Sequence, residues 1–144
     1  MKQDRENQYS GSQTLTATGA STDIIDHGAD RNIGIGEPMV VLVTLDLEAE
    51  DGDSNETYTA KVETDDNAAF ASPATVGEEV TITRGDAAGT KYAIPIPPDT
   101  RMQRFSRVKY TLGGTTPSLT VTARLMPQRL LQNNVVYPKG YTIS

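Results

Sequence analysis

Between Glu37 and Ala49 the sequence carries its only long apolar segment. Met39, Val41, Val43, Leu45 and Leu47 fall on one face at period two. Val40 and Leu42 make the first half of the opposite face apolar, and Thr44, Asp46 and Glu48 then turn it polar. The pattern predicts a strand buried on both faces at its start and on one face at its end. β-Branched residues without a 3.6-residue stripe argue against a helix. Pro38 stands at the strand entrance, where a missing N–H costs least.

Shorter alternating runs surround this one. Thr14 to Thr18 and Asp23 to His27 read as short strands, and Gly28 to Gly36 as a Gly-rich connection. Thr57 to Asp65 puts Tyr58, Ala60 and Val62 inward. With Asp51-Gly52 and Ser54-Asn55 as turn chemistry, it predicts a long hairpin with the central strand. Ala68 to Pro73 could include a helical turn. Three further strands follow: Glu79 to Thr83; Thr90 to Ile96 with Tyr92, Ile94 and Ile96 inward; and Arg104 to Leu112 with Ser106, Val108, Tyr110 and Leu112 on one face. Ser118 to Met126 puts Leu119, Val121, Ala123 and Leu125 inward, and Pro127 ends it.

About eight strands, no helix-period segment and frequent turn signals predict an all-β, eight-stranded antiparallel jelly-roll sandwich, with an immunoglobulin-like sandwich as the rival. Residues 1–12 read as a polar N-terminal arm, 13–127 as the sandwich and 128–144 as an extended C-terminal tail. The tail contains Leu130, Leu131, Val135, Val136, Tyr137 and Tyr141. Such a tail packs on its own domain or on another subunit.

Composition narrows the chemistry. The chain has 144 residues, which suits one domain, and no cysteine, which excludes disulfides and thiolate metal sites. Its net charge of −6 comes without a cationic patch, so nucleic-acid binding is disfavoured. No segment approaches the roughly 18 apolar residues of a membrane span, and the N-terminus lacks the apolar core of a signal peptide.

His27 is the one histidine, which leaves most triads and multi-histidine metal sites without partners. The acid cluster Glu48 to Glu56 falls in the predicted hairpin tip, where exposed carboxylates are poor catalysts. Asp51-x-Asp53-x-Asn55 copies half a calcium loop, but Glu56 replaces its glycine and Val62 its bidentate glutamate. Gly34-x-Gly36 lacks the third glycine of a dinucleotide fingerprint. Arg84-Gly85-Asp86 matches the adhesion tripeptide, a pattern that chance produces often, and Asn55-Glu56-Thr57 matters only in a secreted eukaryotic protein. No enzyme activity, cofactor or metal is expected.

Several segments together resemble the jelly-roll capsid cement, or decoration, proteins of tailed bacteriophages, of the Bordetella podovirus type. They are Thr14-Leu15-Thr16-Ala17-Thr18, and Asp26 to Arg31 leading into Ile33-Gly34-Ile35-Gly36-Glu37-Pro38. After the central strand come Asp65-Asp66-Asn67-Ala68-Ala69 with Ser72-Pro73, Gly89-Thr90 leading to Pro95-Ile96-Pro97-Pro98, and Arg104-Phe105 with Tyr110. The resemblance spans roughly Leu15 to Pro127. It implies a non-enzymatic virion protein, made in the host bacterial cytoplasm and assembled as a homodimer or homotrimer. It would sit on the outer capsid surface, bridging subunits of the major capsid protein. The candidate capsid or inter-subunit contacts are Tyr9 in the arm and Leu130, Leu131, Val135, Val136 and Tyr137 in the tail. A carbohydrate- or receptor-binding jelly roll on the virion is the alternative, weakened by the absence of Trp.

Overall fold

Period-two alternation of apolar and Thr-, Lys- or Glu-rich positions yields strands throughout the computed structural model, which describes residues 7–28, 38–97, 102–130, 135–136 and 142–143. In chain order they are β1 (Gln8–Leu15), β2 (Gly19–Ala20), β3 (Ile25–Asp26), β4 (Met39–Leu45), β5 (Thr57–Asp65) and β6 (Ala74–Ile82). After these come β7 (Lys91–Pro95), β8 (Phe105–Gly113), β9 (Leu119–Pro127), β10 (Val135–Val136) and β11 (Thr142–Ile143). A 3-10 turn, Gln128–Leu130, follows β9, and no α-helix occurs among the described residues.

Two sheets form. The first runs β1-β9-β4-β7-β10-β11, and the second β2-β8-β5-β6 with β3 also on β8. Taking β2 and β3 as one interrupted strand, eight strands lie in the orders 1-8-3-6 and 2-7-4-5. This is jelly-roll-like wiring, in which consecutive strands mostly change sheet. Every pairing is antiparallel except β10 on β7.

This wiring corrects the predicted β4–β5 hairpin. β4 pairs β7 and β9, while β5 pairs β6 and β8 in the opposite sheet. The segment from Asp46 to Glu56 is therefore a crossover between sheets, tied down by Ala49 N–H to Asp86 O and Glu50 N–H to Ser118 O. The inward rows of both sheets meet in one core containing Val41, Val43, Leu45, Tyr58, Ala60, Val62, Tyr92, Ile94, Val108, Tyr110, Leu119, Val121 and Ala123, each no more than 1% exposed.

Other expectations shift for local reasons. β4 ends at Leu45, so Leu47 leaves the inward row and stands 60% exposed. The Ala68 to Pro73 segment forms bends and turns, with Phe70 at φ 51°. β6 begins five residues earlier than the Glu79 expected, because Gly77 (φ 71°) lets the strand bulge against β5. A Cβ at Gly77 would lie 2.8 Å from Pro95 O, so the bulge requires glycine.

β4 behaves as its pattern predicts. Val40 and Leu42 point away from the core yet are 0% and 6% exposed, and with Ala93 and Met126 they form a second apolar cluster. Thr44, further along the same face, is only half-buried.

Candidate contact surfaces

Tyr9 is not part of a free arm. β1 starts at Gln8, and Tyr9 lies inside the core at 0% exposure. The arm boundary therefore moves from residue 12 to residue 7 at the latest, and Tyr9 has no surface to offer a partner. Burying a phenol demands a partner for its hydroxyl. Ser106 Oγ lies 2.9 Å from Tyr9 Oη and also 2.9 Å from His27 Nε2. A second buried pair joins Tyr110 Oη and Ser10 Oγ at 2.9 Å. Ser10 donates to Gln13 Oε1 at 2.8 Å, and a hydroxyl has one proton, so Tyr110 is the donor to Ser10. Burial drives the pKa of both phenols well above the usual tyrosine range. Ser106 beside His27 has the composition of a nucleophile–base pair. Ser106 is 0% exposed, however, so its hydroxyl serves the interior.

The outer face of the second sheet is polar and open. Lys61 lies opposite Lys109, and Glu63 opposite Arg107. Arg107 Nε donates to Glu63 Oε1 at 2.9 Å, and the guanidinium lies 4.3 Å from the Phe70 ring centroid. This holds the β5–β6 loop down on the sheet. At its start, Asp65 accepts from Ser72 N–H at 2.8 Å and Asn67 N–H at 3.2 Å. These backbone bonds, led by that of Ser72, hold its carboxyl below the usual aspartate range. Asp26 forms a fork with Arg104 at 2.9 and 3.0 Å. That fork first, then the Gly28 N–H, lowers its pKa to about 2.

The acid cluster of the crossover is occupied by internal bonds. Asp51 pairs with Arg84 at 2.8 Å. Asp53 accepts from Thr116, and Asn55 exchanges two bonds with Thr115. Glu56, expected in a wet tip, is instead 1% exposed, its carboxylate receiving the N–H groups of Asp53 and Asn55. Gly114 (φ 102°) makes this possible: a Cβ there would lie 2.7 Å from Glu56 Cα. The Arg84-Gly85-Asp86 tripeptide is likewise held at both ends, by Asp51 and by the Tyr92 hydroxyl on Asp86. Desolvation first, then Asp86, pushes the Tyr92 pKa up to about 12. A shallow open groove borders this region, lined by Thr57, Thr59, Thr81 and Thr83 with Arg84 at one end. No group of three or more His, Asp or Glu side chains among the described residues is placed to hold a metal ion.

The tail joins the first sheet. Val135 pairs with Lys91 and Val136 with Tyr92, and β11 pairs β10 through Val135–Ile143 and Val136–Thr142. Leu130 ends the 3-10 turn, while Leu131 and Tyr137 lie outside the described residues. Sequence reasoning missed the pairing of the tail because two-residue strands carry no measurable period.

The architecture defines a jelly-roll-like β-sandwich with its first sheet widened by its own C-terminal segment. The Bbp16 family model matches residues 9–124, and the chain belongs to that family, whose name points to a Bordetella phage protein. Comparison with curated proteins gives no match.

Proposed function

We propose that the protein is a structural component of a phage virion that decorates the outside of an icosahedral capsid. It acts as a homodimer or homotrimer bridging major capsid protein subunits and makes or breaks no bonds. The observation that carries this reading is membership of a phage-protein family over residues 9–124. The side-chain pairings agree with it. Asp51, Asp53, Glu56, Glu63, Asp65 and Ser106 all bond within the domain, as a rigid spacer requires.

Bridging contacts stabilise a shell by mass action, because they exist only when neighbouring capsomers are correctly placed. Modest affinity per copy suffices when several contacts act together. The contact surface we assign is the C-terminal edge of the first sheet, where β11 is outermost and β10, Val135–Val136, lies between it and β7; Leu130, Leu131 and Tyr137 stay candidate contacts on the sequence alone. Sheet edges take up added strands through backbone bonds. The glycan-binding alternative is weakened by the interior: Tyr9, Tyr58, Tyr92 and Tyr110 are all at most 1% exposed and offer no stacking platform.

The test is add-back of purified full-length protein to undecorated shells. Saturable co-sedimentation and a higher temperature of shell disassembly are expected. Failure to sediment with the shells, or selective capture on a glycan array, would overturn the proposal.

A further inference from the structure

Three groups from distant segments meet at one corner of the sandwich. Tyr9 lies on β1, an outermost strand of the first sheet. Ser106 lies on β8, and His27 directly follows β3, which pairs with β8 in the second sheet. Their polar atoms form a chain, Tyr9 Oη to Ser106 Oγ at 2.9 Å and Ser106 Oγ to His27 Nε2 at 2.9 Å. Tyr9 and Ser106 are both 0% exposed, whereas His27 is half-buried. Among the described residues, the two hydroxyls make no hydrogen bonds outside this chain.

The protons on the chain can be counted. Two links hold two protons, and each hydroxyl brings one. The chain is complete when Tyr9 donates to Ser106, Ser106 donates to His27, and Nε2 offers its lone pair. A proton on Nε2, in the other neutral tautomer or in the imidazolium, makes three donors for two links. One hydroxyl proton is then left in the core without an acceptor, which costs free energy. Turning the ring out to water does not help, because two hydroxyl protons then share one link.

Neighbouring charges leave this cost standing. Among the described residues, the charged groups flanking His27 are Asp26 and Arg104, which are committed to each other at 2.9 and 3.0 Å. Asp26 also accepts from Gly28 N–H at 2.8 Å, and of the influences on its acidity the attraction to His27 is the smallest. β8 turns Ser106 toward the ring, and β1 reaches it through Tyr9, a phenol that burial keeps neutral.

We propose that His27 is a proton-operated latch. As the neutral Nδ1–H tautomer it accepts the Ser106 proton and closes the corner between β1 and β3; proton uptake releases it. Folding favours the neutral ring, so the latch contributes in full above the ordinary histidine range, about 6.5 in an unfolded chain, and its contribution is lost as pH falls below that. The backbone bonds it secures are Asp23 N–H to Tyr9 O at 2.9 Å and His27 N–H to Arg104 O at 2.7 Å. This inference stands on hydrogen-bond geometry and does not depend on the capsid reading.

His27 is the one histidine of the chain, so its ring nitrogens give unambiguous magnetic resonance signals. In nitrogen-15-labelled full-length protein at about pH 7.5, Nδ1 is expected to carry the proton and Nε2 the lone pair. Between about pH 7.5 and about pH 5, amide exchange at Asp23 and His27, corrected for the intrinsic rate, is expected to become about tenfold easier, while Val41 and Val43 of β4 do not change. The Asp26–Arg104 fork stays ionised throughout, since Asp26 titrates at about 2. His27→Gln, which offers an acceptor that does not titrate, is expected to lose the response. A proton on Nε2 at about pH 7.5 would overturn the latch, and that measurement needs no variant. Exchange at the corner that ignores pH in the parent, or responds equally in His27→Gln, would overturn it as well.

Discussion

The two sheets turn different outer faces outward. On the second sheet, Thr59, Lys61, Arg107 and Lys109 stand half-buried and Thr111 stands exposed; Glu63, paired to Arg107, and Asp65, bonded into the β5–β6 loop, are the buried exceptions. On the first, Val40, Leu42, Ala93 and Met126 are sealed as tightly as the interior. Both sheets share one core, so the contrast lies in their outer faces alone. It teaches that a strand apolar on both faces can be sealed on both, even in an antiparallel sandwich where one wet face is the rule.

The sharpest way to break the contrast is Leu42→Ala against Lys109→Ala. Leu42→Ala should destabilise by about 2–5 kcal/mol in denaturant unfolding, as a core truncation does. Lys109→Ala should change stability by no more than about 0.5 kcal/mol, since a surface site facing the like charge of Lys61 loses little. Equal effects would erase the distinction between the faces.

Arg107→Ala should fall between these. It strips the nearly buried Glu63 of its hydrogen-bonded partner, leaving Lys61 at 3.8 Å, and frees Phe70, for a loss of about 1–3 kcal/mol. The β5–β6 loop should then gain amide exchange, while β4 and β9 keep their protection.

The core common to both sheets is tested by alkali. Tyr9, Tyr58, Tyr92 and Tyr110 have raised pKa values, so folding favours the neutral phenol. The unfolded chain ionises near the ordinary 10.0. Their stabilisation is complete below that pH and is lost as pH climbs toward and past about 12, the value for Tyr92. Phenolate absorbance should therefore rise cooperatively with unfolding; a simple titration centred at 10.0 for all six tyrosines would contradict their burial.

The smallest effect concerns Asp26 on the second sheet. Its pKa is lowered from 3.8 to about 2, so the contribution is present above 3.8 and lost as pH falls toward 2. Asp26→Asn should flatten the acid limb of the stability curve slightly across that window and leave the neutral value almost unchanged.

The inward rows and the double burial at the start of β4 were legible because alternation reports which face of a strand is wet. β5 was legible to its end residues for the same reason. Pairing was not legible, since period two names faces and not partners, and the β4–β5 hairpin failed there. β1 was hidden by two register shifts and by Ser12 at φ 50°, which break the alternation around Tyr9 and Ser10. Ser106 stood in an inward row as a polar exception, a signal that a buried hydroxyl partner had to exist. The partners, Tyr9 and His27, come from distant segments that no local pattern connects. Of the candidate contacts, Tyr9 became core and the valines of the tail became a strand held between β7 and β11.

The measurement that tests the functional account most directly is an electron cryomicroscopy reconstruction of the phage particle that contains this chain. The account predicts sandwich-shaped density outside the shell, seated over junctions between major capsid protein subunits, with the β10–β11 edge against them. Density for this chain in the tail machinery or inside the shell, or a complete particle lacking the chain altogether, would contradict it.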